Sequence, residues 1–352
     1  MADLFFSARI RRNLGFKLLG TVVEKLLRLV LTMTAARMLG TAAWGRYGYA
    51  LALATLLVQL TDMGLNLFTT REIARAGDDR ERADFVGQVF ALKALLSGAY
   101  VLGMTGLCLA HLDEPVVAAA IALCSLAALS NAAIESILHV FRGVQDLALE
   151  ARATAAFSAT QLVLGLSALL AAALLWGRTL TATPGQPGET ACLLLFCAAM
   201  ATAALLAVGF AFRLLLRVTR PRFALSAALA SRFRHEVLPL GIAIVASMVY
   251  YRIDVPMIRM LRGDVDTGLY TASYKVLEYG AILPGMLMAA AFPALSEAVT
   301  RPGSAAGKLH ATALGWLVAA GVAGTSILWL FPDWIIGLLY GEQFAASAPM
   351  LR

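Results

Sequence analysis

Apolar residues come in long runs along this chain, separated by short polar breaks. Nine runs reach or approach the roughly 20 helical residues needed to cross a hydrocarbon core of about 30 Å. They fall near Leu14–Leu39, Tyr47–Phe68, Phe85–Leu109, Val116–Val140, Ala153–Trp176, Ala191–Phe212, Val237–Ile258, Leu269–Leu295 and Ala311–Phe331. Helix is the predicted state of each, because lipid offers no partner for unpaired backbone groups and no strand-like alternation appears. The pattern predicts an all-α polytopic membrane protein.

The breaks alternate in charge. Arg9, Arg11, Arg12 and Lys17 precede or open the first run, and Arg71, Arg75, Arg80 and Arg82 lie in the second connection. Arg142 and Arg152 follow in the fourth, Arg213, Arg217, Arg220, Arg222, Arg232 and Arg234 in the sixth, and Arg301 and Lys308 in the eighth. The intervening connections carry only Arg37, Arg46, Arg178, Arg259 and Arg262. Basic loops stay on the cytoplasmic side, so the N-terminus is predicted to be cytoplasmic. The net charge of +7 then describes a basic membrane face and calls for no nucleic acid.

Composition agrees. Hydrophobic residues make up 60% and charged residues 14%, against about 25% charged in soluble domains. No cleavable signal is evident, since the first apolar run is too long and is interrupted by charge. Cys108, Cys124, Cys192 and Cys197 all fall in apolar runs and read as small core residues. His111, His139, His235 and His310 are isolated, with no metal-ligand spacing, so no metal is expected. The connection from Gly177 to Thr190 carries no paired acids and no nucleophile beside a base. That counts against a membrane enzyme working on a surface substrate, which usually needs a loop or appended domain to hold its catalytic groups.

One break occurs twice. Gly40-Thr41-Ala42-Ala43-Trp44-Gly45-Arg46-Tyr47 and Gly263-Asp264-Val265-Asp266-Thr267-Gly268-Leu269-Tyr270 share the pattern G-x4-G-x-Y. Arg37-Met38-Leu39 leads into the first and Arg259-Met260-Leu261 into the second. Gly40, Gly45, Gly263 and Gly268 are expected to permit a tight turn, with Tyr47 and Tyr270 completing each copy. The repeat predicts a six-helix lobe over residues 1–212, a basic linker over 213–236 and a second lobe over 237–352. The second lobe holds three helices and the start of another, so it is expected to be incomplete. Both copies start on the same side, which makes the repeat parallel; two facing lobes of this kind enclose a central cavity. The linker is read either as an interfacial segment near anionic headgroups or as plain positive-inside bias.

Ionisable residues inside the runs are costly, at about 2.5–3.5 kcal/mol each at a helix centre. The candidates are Glu24, Lys25, Arg28, Lys93, Arg252, Asp254, Lys275 and Glu278. Glu24 and Arg28 are spaced i,i+4, and Lys275 and Glu278 i,i+3, so each pair can meet on one helix face. Lys93 lies near enough to the cytoplasmic end for its stem to snorkel, and it is set aside as a site residue. Snorkelling of Arg252 and purely structural pairing of Glu24 with Arg28 are the plain alternatives. Pro239, Pro256, Pro284 and Pro293 are expected to kink or punctuate helices.

Four stretches then carry a resemblance. Leu39-Gly40, Gly45 and Tyr47, followed by Asp62-x-Gly64 and Arg71-Glu72-Ile73-Ala74, form the first. Tyr251-Arg252-Ile253-Asp254, with Gly268-x-Tyr270-x-Ala272, forms the second; Pro293-x-Leu295-Ser296 and Leu339-Tyr340-Gly341-Glu342 complete the set. In this order they resemble O-antigen-type polysaccharide-biosynthesis flippases of the multidrug/oligosaccharidyl-lipid/polysaccharide exporter superfamily. The resemblance implies translocation of a polyprenyl-diphosphate-linked oligosaccharide by alternating access, with no covalent chemistry and no cofactor. Lys25, Arg28, Arg252 and Lys275 are the expected cationic wall for the diphosphate, since guanidinium and ammonium groups bind phosphate oxygens. Glu24, Asp254 and Glu278 are the expected ion-coupling residues, since a carboxylate in a low-dielectric cavity can exchange protons or bind a cation. Membrane lipids and a polysaccharide polymerase or glycosyltransferases are the expected partners. A cation-coupled drug or metabolite antiporter and a non-transporting scaffold for biosynthetic enzymes are the competing readings.

Overall fold

A computed structural model describes residues 8–177, 188–280, 284 and 306–352. Among the described residues there is no strand. The first helix, α1 (Ala8–Val58), has 51 residues. At 1.5 Å per residue it would span roughly 75 Å if straight, more than twice a hydrocarbon core. It kinks at Gly40, whose φ of 81° and ψ of 171° suit glycine alone. The kink divides α1 at the first predicted break.

A second interruption follows. The 3-10 turn Gln59–Thr61 leads to Met63 (φ 41°) and Gly64 (φ 87°) before α2 (Leu65–Ile73) begins. The chain bends by 43° there. Asp62 closes the break: its carboxylate accepts from the Asn66 N–H at 3.0 Å and the Gly64 N–H at 3.3 Å. Those donors would otherwise be orphaned at a helix start. This accounts for the Asp62-x-Gly64 motif.

The next helices are α3 (Asp79–Ala110), α4 (Pro115–Gly143), α5 (Leu147–Trp176) and α6 (Glu189–Val218). Asp78 caps α3 through the Glu81 N–H at 2.7 Å, and Asp146 caps α5 through the Leu149 N–H at 3.1 Å. Helices α4 and α6 form the centre, with α1 and α5 against them. Ala203, Ala204, Ala207 and Ala211 on α6 are buried and bring neighbouring backbones close, as small residues do between membrane helices.

The chain continues through α7 (Ala227–Arg232), a π turn (Phe233–Val237), α8 (Leu238–Arg252) and α9 (Asp254–Gly280). The helix is interrupted at Ile253 because Pro256 has no N–H to offer the Arg252 carbonyl. Then come α10 (Ala306–Leu330), α11 (Pro332–Tyr340) and a 3-10 segment (Glu342–Leu351). Six described helices are long and apolar enough to cross a membrane, or seven with the bent pair at Asp62–Gly64. Among the described residues, dividing α1 at Gly40 and α9 at Gly263 matches the first seven predicted runs, the ninth, and the eighth as far as Gly280. Residues 281–283 and 285–295 of the eighth run, including Pro293, lie outside the described residues, as do residues 178–187 of the Gly177–Thr190 connection.

Gly263 kinks α9 with φ 84° and ψ −172°, the same torsions as Gly40. The sequence repeat is therefore also a repeat of backbone geometry. Gly341, between α11 and the 3-10 segment, has φ 84° and ψ 174°. A third corner of identical shape thus stands where the spacing shows no G-x4-G-x-Y copy. A Cβ at Gly263 would meet no atom within 4 Å, so the torsion alone demands glycine. Gly263→Ala is expected to cost about 1–3 kcal/mol. Gly209→Ala, in open space on α6, is expected to gain about 0.5–1 kcal/mol. Unfolding of the two variants in detergent checks both signs.

The chain divides into two compact units, Met1–Thr267 and Gly268–Arg352. This is a different division from the repeat's boundary at 213–236, because α8 packs on α1 and on the 3-10 turn before Asp62. In the second unit, the Ser273 hydroxyl donates to the Ser347 carbonyl at 2.8 Å, and the Ser347 hydroxyl donates to the Leu269 carbonyl at 2.9 Å. Tyr340 and Phe344 are fully buried beside them, with ring centroids 5.5 Å apart.

Candidate functional site

The predicted cationic residues fall in both units. Lys25 and Arg28 lie on α1 with exposed side chains. The Arg28 guanidinium sits over the Phe157 ring, 5.8 Å from its centroid. Arg252 is half-buried at the end of α8, and Asp254 opens α9, accepting from the Val255 N–H at 2.8 Å. The side chain of Glu24 lies outside the described residues. Lys275 and Glu278, in the second unit, pair at 2.6 Å as their spacing predicts. Tyr47 packs between Trp44 at 5.2 Å and Phe196 at 5.5 Å, and Tyr270 stacks on Tyr274 at 5.9 Å. Gly45 and Gly268 are buried.

A second set of ionisable residues forms a seam between α2, α3 and α4. The Lys93 ammonium donates to Asp62 at 2.7 Å, to the Asn66 amide oxygen at 2.6 Å and to the Ser136 hydroxyl at 2.8 Å. Its three donors are thus all used. Lys93 points inward to this network and does not snorkel; its side chain is only 11% exposed. One turn along α2 from Asn66, the Thr70 hydroxyl contacts His139 Nδ1 at 2.9 Å and donates to the His139 carbonyl at 3.1 Å. Arg142 donates to His139 Nε2 at 2.9 Å. The ring is therefore neutral, protonated on Nδ1 and donating to Thr70. Arg142 also reaches Glu150 at 3.0 Å and Glu135 at 3.8 Å. A cavity of about 280 Å³ lies beside the seam, lined by Thr61, Lys93, Ser97 and Ser136 and by apolar residues including Phe90 and Phe212.

A third cluster joins the two copies of the glycine break. Arg46, in the first copy, donates to Asp264, in the second, at 2.6 Å. Arg259 donates to the other oxygen of Asp264 at 2.8 Å and to Glu114, and lies over the Tyr49 ring at 4.5 Å. The Tyr49 hydroxyl meets His111 Nε2 at 2.9 Å. Three connections poor in arginine are thus tied together. Among the arginine-rich ones, Glu72 of α2 takes Arg232 at 3.0 Å and Arg71 takes Glu236 at 3.2 Å. These pairs are more exposed and are worth about 0–1 kcal/mol each.

The seam and the cluster were not expected as sites. Asp62 was visible as a motif residue and His139 as an isolated histidine. The i,i+3 spacing of His139 and Arg142 on one helix face was the local signal for the lower seam. Arg46 and Asp264 are 218 residues apart, and nothing local connects them. Chemically, the arrangement can pair, store and exchange charge within apolar helices. Among the described residues, no group of three or more His, Cys, Asp or Glu is placed to hold a metal ion.

A bundle of apolar helices with ionisable side chains satisfied inside it is a polytopic membrane protein. The model of a family described as polysaccharide biosynthesis protein matches residues 10–299, and the chain belongs to that family. Comparison with curated proteins and with solved structures finds no match.

Proposed function

We propose that this protein is a flippase. It moves a polyprenyl-diphosphate-linked oligosaccharide, an O-antigen or exopolysaccharide unit, from the cytoplasmic to the outer face of a bacterial inner membrane. The observation that carries this reading is the family match over residues 10–299, made by a chain whose ionisable groups lie within apolar helices. The N-terminus is cytoplasmic, by the alternation of arginine-rich and arginine-poor connections. The protein is a transporter and makes or breaks no covalent bond; it acts with the polymerase or glycosyltransferases that use the same lipid-linked units.

Lys25, Arg28, Arg252 and Lys275 supply positive charge to the diphosphate, while the lipid tail stays in the bilayer. Glu24, Asp254 and Glu278 are the carboxylates nearest to them in sequence. Alternating access moves the head group between the two faces.

The test is expression in a bacterium whose own lipid-linked oligosaccharide flippase is deleted, with surface polysaccharide as readout. Polymer on the surface is the expected result. Membrane-inserted protein without polymer, in cells rescued by the native flippase, counts against the reading. Within that assay, Arg252→Gln is expected to abolish export while leaving insertion intact. Normal export by the variant removes Arg252 from the site.

A further inference from the structure

We propose that the cavity between α3, α4 and α6 is a lipid site: it takes an acyl chain of an anionic phospholipid, whose phosphate is held by arginines of the connection that follows α6. The proposal stands apart from the flippase reading, since it concerns a resident of the bilayer and not the transported unit.

The cavity has largely apolar walls. Phe90 and Ala94 come from α3, Leu129 and Ala133 from α4, and Val208 and Phe212 from α6. Helix α4 packs against both α3 and α6 and lies behind the space. Protein interiors leave few voids larger than a water molecule, so a partly open space of about 280 Å³ calls for an occupant. Water is a poor one, because each molecule needs several polar partners and the polar side chains here are mostly turned to the protein. The Thr61 hydroxyl donates to the Val58 carbonyl at 2.7 Å, and the Ser136 hydroxyl to the Ala132 carbonyl at 2.8 Å. Lys93 spends its three donors on Asp62, Asn66 and Ser136. Ser97 adds a hydroxyl at the far end.

The cavity also has the position and depth of one leaflet. Ala83, Gly87, Phe90, Ala94 and Ser97 share one face of α3 by their spacing. At the arginine-rich end the connection after α6 crosses this face. The Arg222 N–H donates to the Ala83 carbonyl at 3.2 Å, and a Cβ at Gly87 would overlap the Arg222 backbone. From Gly87 to Ser97 the face runs about 15 Å at about 1.5 Å per residue, half of a hydrocarbon core of about 30 Å. Phe223 lines the cavity at the crossing. It is 63% exposed, and Leu225 beyond it is 72% exposed. Apolar side chains set among arginines suit the boundary between headgroups and chains.

Charge selects the headgroup. Arg213, Arg217, Arg220 and Arg222 are exposed, and no acid lies between the first and the last of them. Asp84 faces Arg222 at 3.5 Å, with both side chains partly exposed. A pair of that kind is weak, so Arg222 can exchange Asp84 for phosphate oxygens, which guanidinium groups bind two at a time. Basic pockets between membrane helices on the cytoplasmic side suit anionic headgroups in the same way. A zwitterionic lipid would fill the space equally well but gain little from the arginines.

The experiment uses the full chain in phosphatidylcholine vesicles doped with phosphatidylglycerol that carries a photoreactive group on one acyl chain. Labelled residues are mapped by mass spectrometry after illumination. Label on the cavity walls of α3, α4 and α6 is expected, displaced by plain phosphatidylglycerol and not by added phosphatidylcholine. Arg220→Gln/Arg222→Gln is expected to weaken labelling about 30-fold, the loss for two arginines at an anionic surface. Ala94→Phe fills the space from α3 and is expected to abolish the label; if that variant does not fold, the arginine variant decides. Equal labelling by a phosphatidylcholine probe, or no label on these walls, overturns the site. Label displaced by polyprenyl phosphate and not by phosphatidylglycerol gives the cavity to a polyprenyl tail and overturns the phospholipid assignment.

Discussion

Asp62→Ala is expected to be the most destabilising single substitution in the first unit, at about 3–5 kcal/mol. It strands the Lys93 ammonium among apolar helices with Asn66 and Ser136 but no counter-charge. It also strips the carboxylate that caps the Gly64 and Asn66 N–H groups, worth about 1 kcal/mol more. Asp62→Asn keeps a capping oxygen and is expected to cost less by about that amount. Lys93→Met strands Asp62 instead, but leaves it with the same two backbone donors. The double substitution Asp62→Asn/Lys93→Met is expected to recover most of the loss, because no uncompensated charge remains. Unfolding of the four variants and the wild type in detergent gives the coupling energy directly. A double variant as unstable as the sum of its singles removes the pairing argument.

Gly241→Ala is expected to be the second large effect. A single methyl there would overlap the Met63 carbonyl, on the far side of the contact between α8 and the broken segment. The obstacle is backbone, and Met63 is itself held at φ 41° by the Asp62–Gly64 turn, so neither side yields easily. Overpacking of this kind costs about 1–3 kcal/mol, and the upper end is expected here. The helix-propensity gain of replacing glycine, at most about 1 kcal/mol, does not offset it. Unfolding measurements with Gly209→Ala as the control separate the two terms. A Gly241→Ala protein as stable as wild type means that α8 does not sit against the Met63 carbonyl.

The helices were legible because membrane crossing imposes one strong, local requirement on composition. The glycine corners were legible as a repeat, since each needs a residue without a Cβ at a fixed distance from the next helix. Gly341 shares their torsions without their spacing, so only the backbone shows the kinship. The Lys275–Glu278 pair was legible because i,i+3 neighbours share a helix face wherever the helix lies. Lys93 was not. Its depth along α3 allows snorkelling, and the partner that turns it inward, Asp62, is placed by a break between helices. The Arg46–Asp264 pair was hidden more deeply, because it depends on two distant turns arriving at one place. Loop charge identified Arg46 and Arg259 only as exceptions to the positive-inside bias.

The open space around Gly263 bears on how the chain is made. A corner whose shape is written in its own torsions needs no neighbour to hold it. It can form as those residues leave the ribosome, at about 5–20 residues per second, before the helices on either side have found their partners. Contacts between nearby residues form early and cost little loop entropy, whereas Arg46 must wait for more than half of the chain to be synthesised before Asp264 exists. Turning is therefore early and local, and fastening is late. A variant weakened at Asp264 should still enter the membrane in the right order and direction, and fail only at the final closing of the bundle.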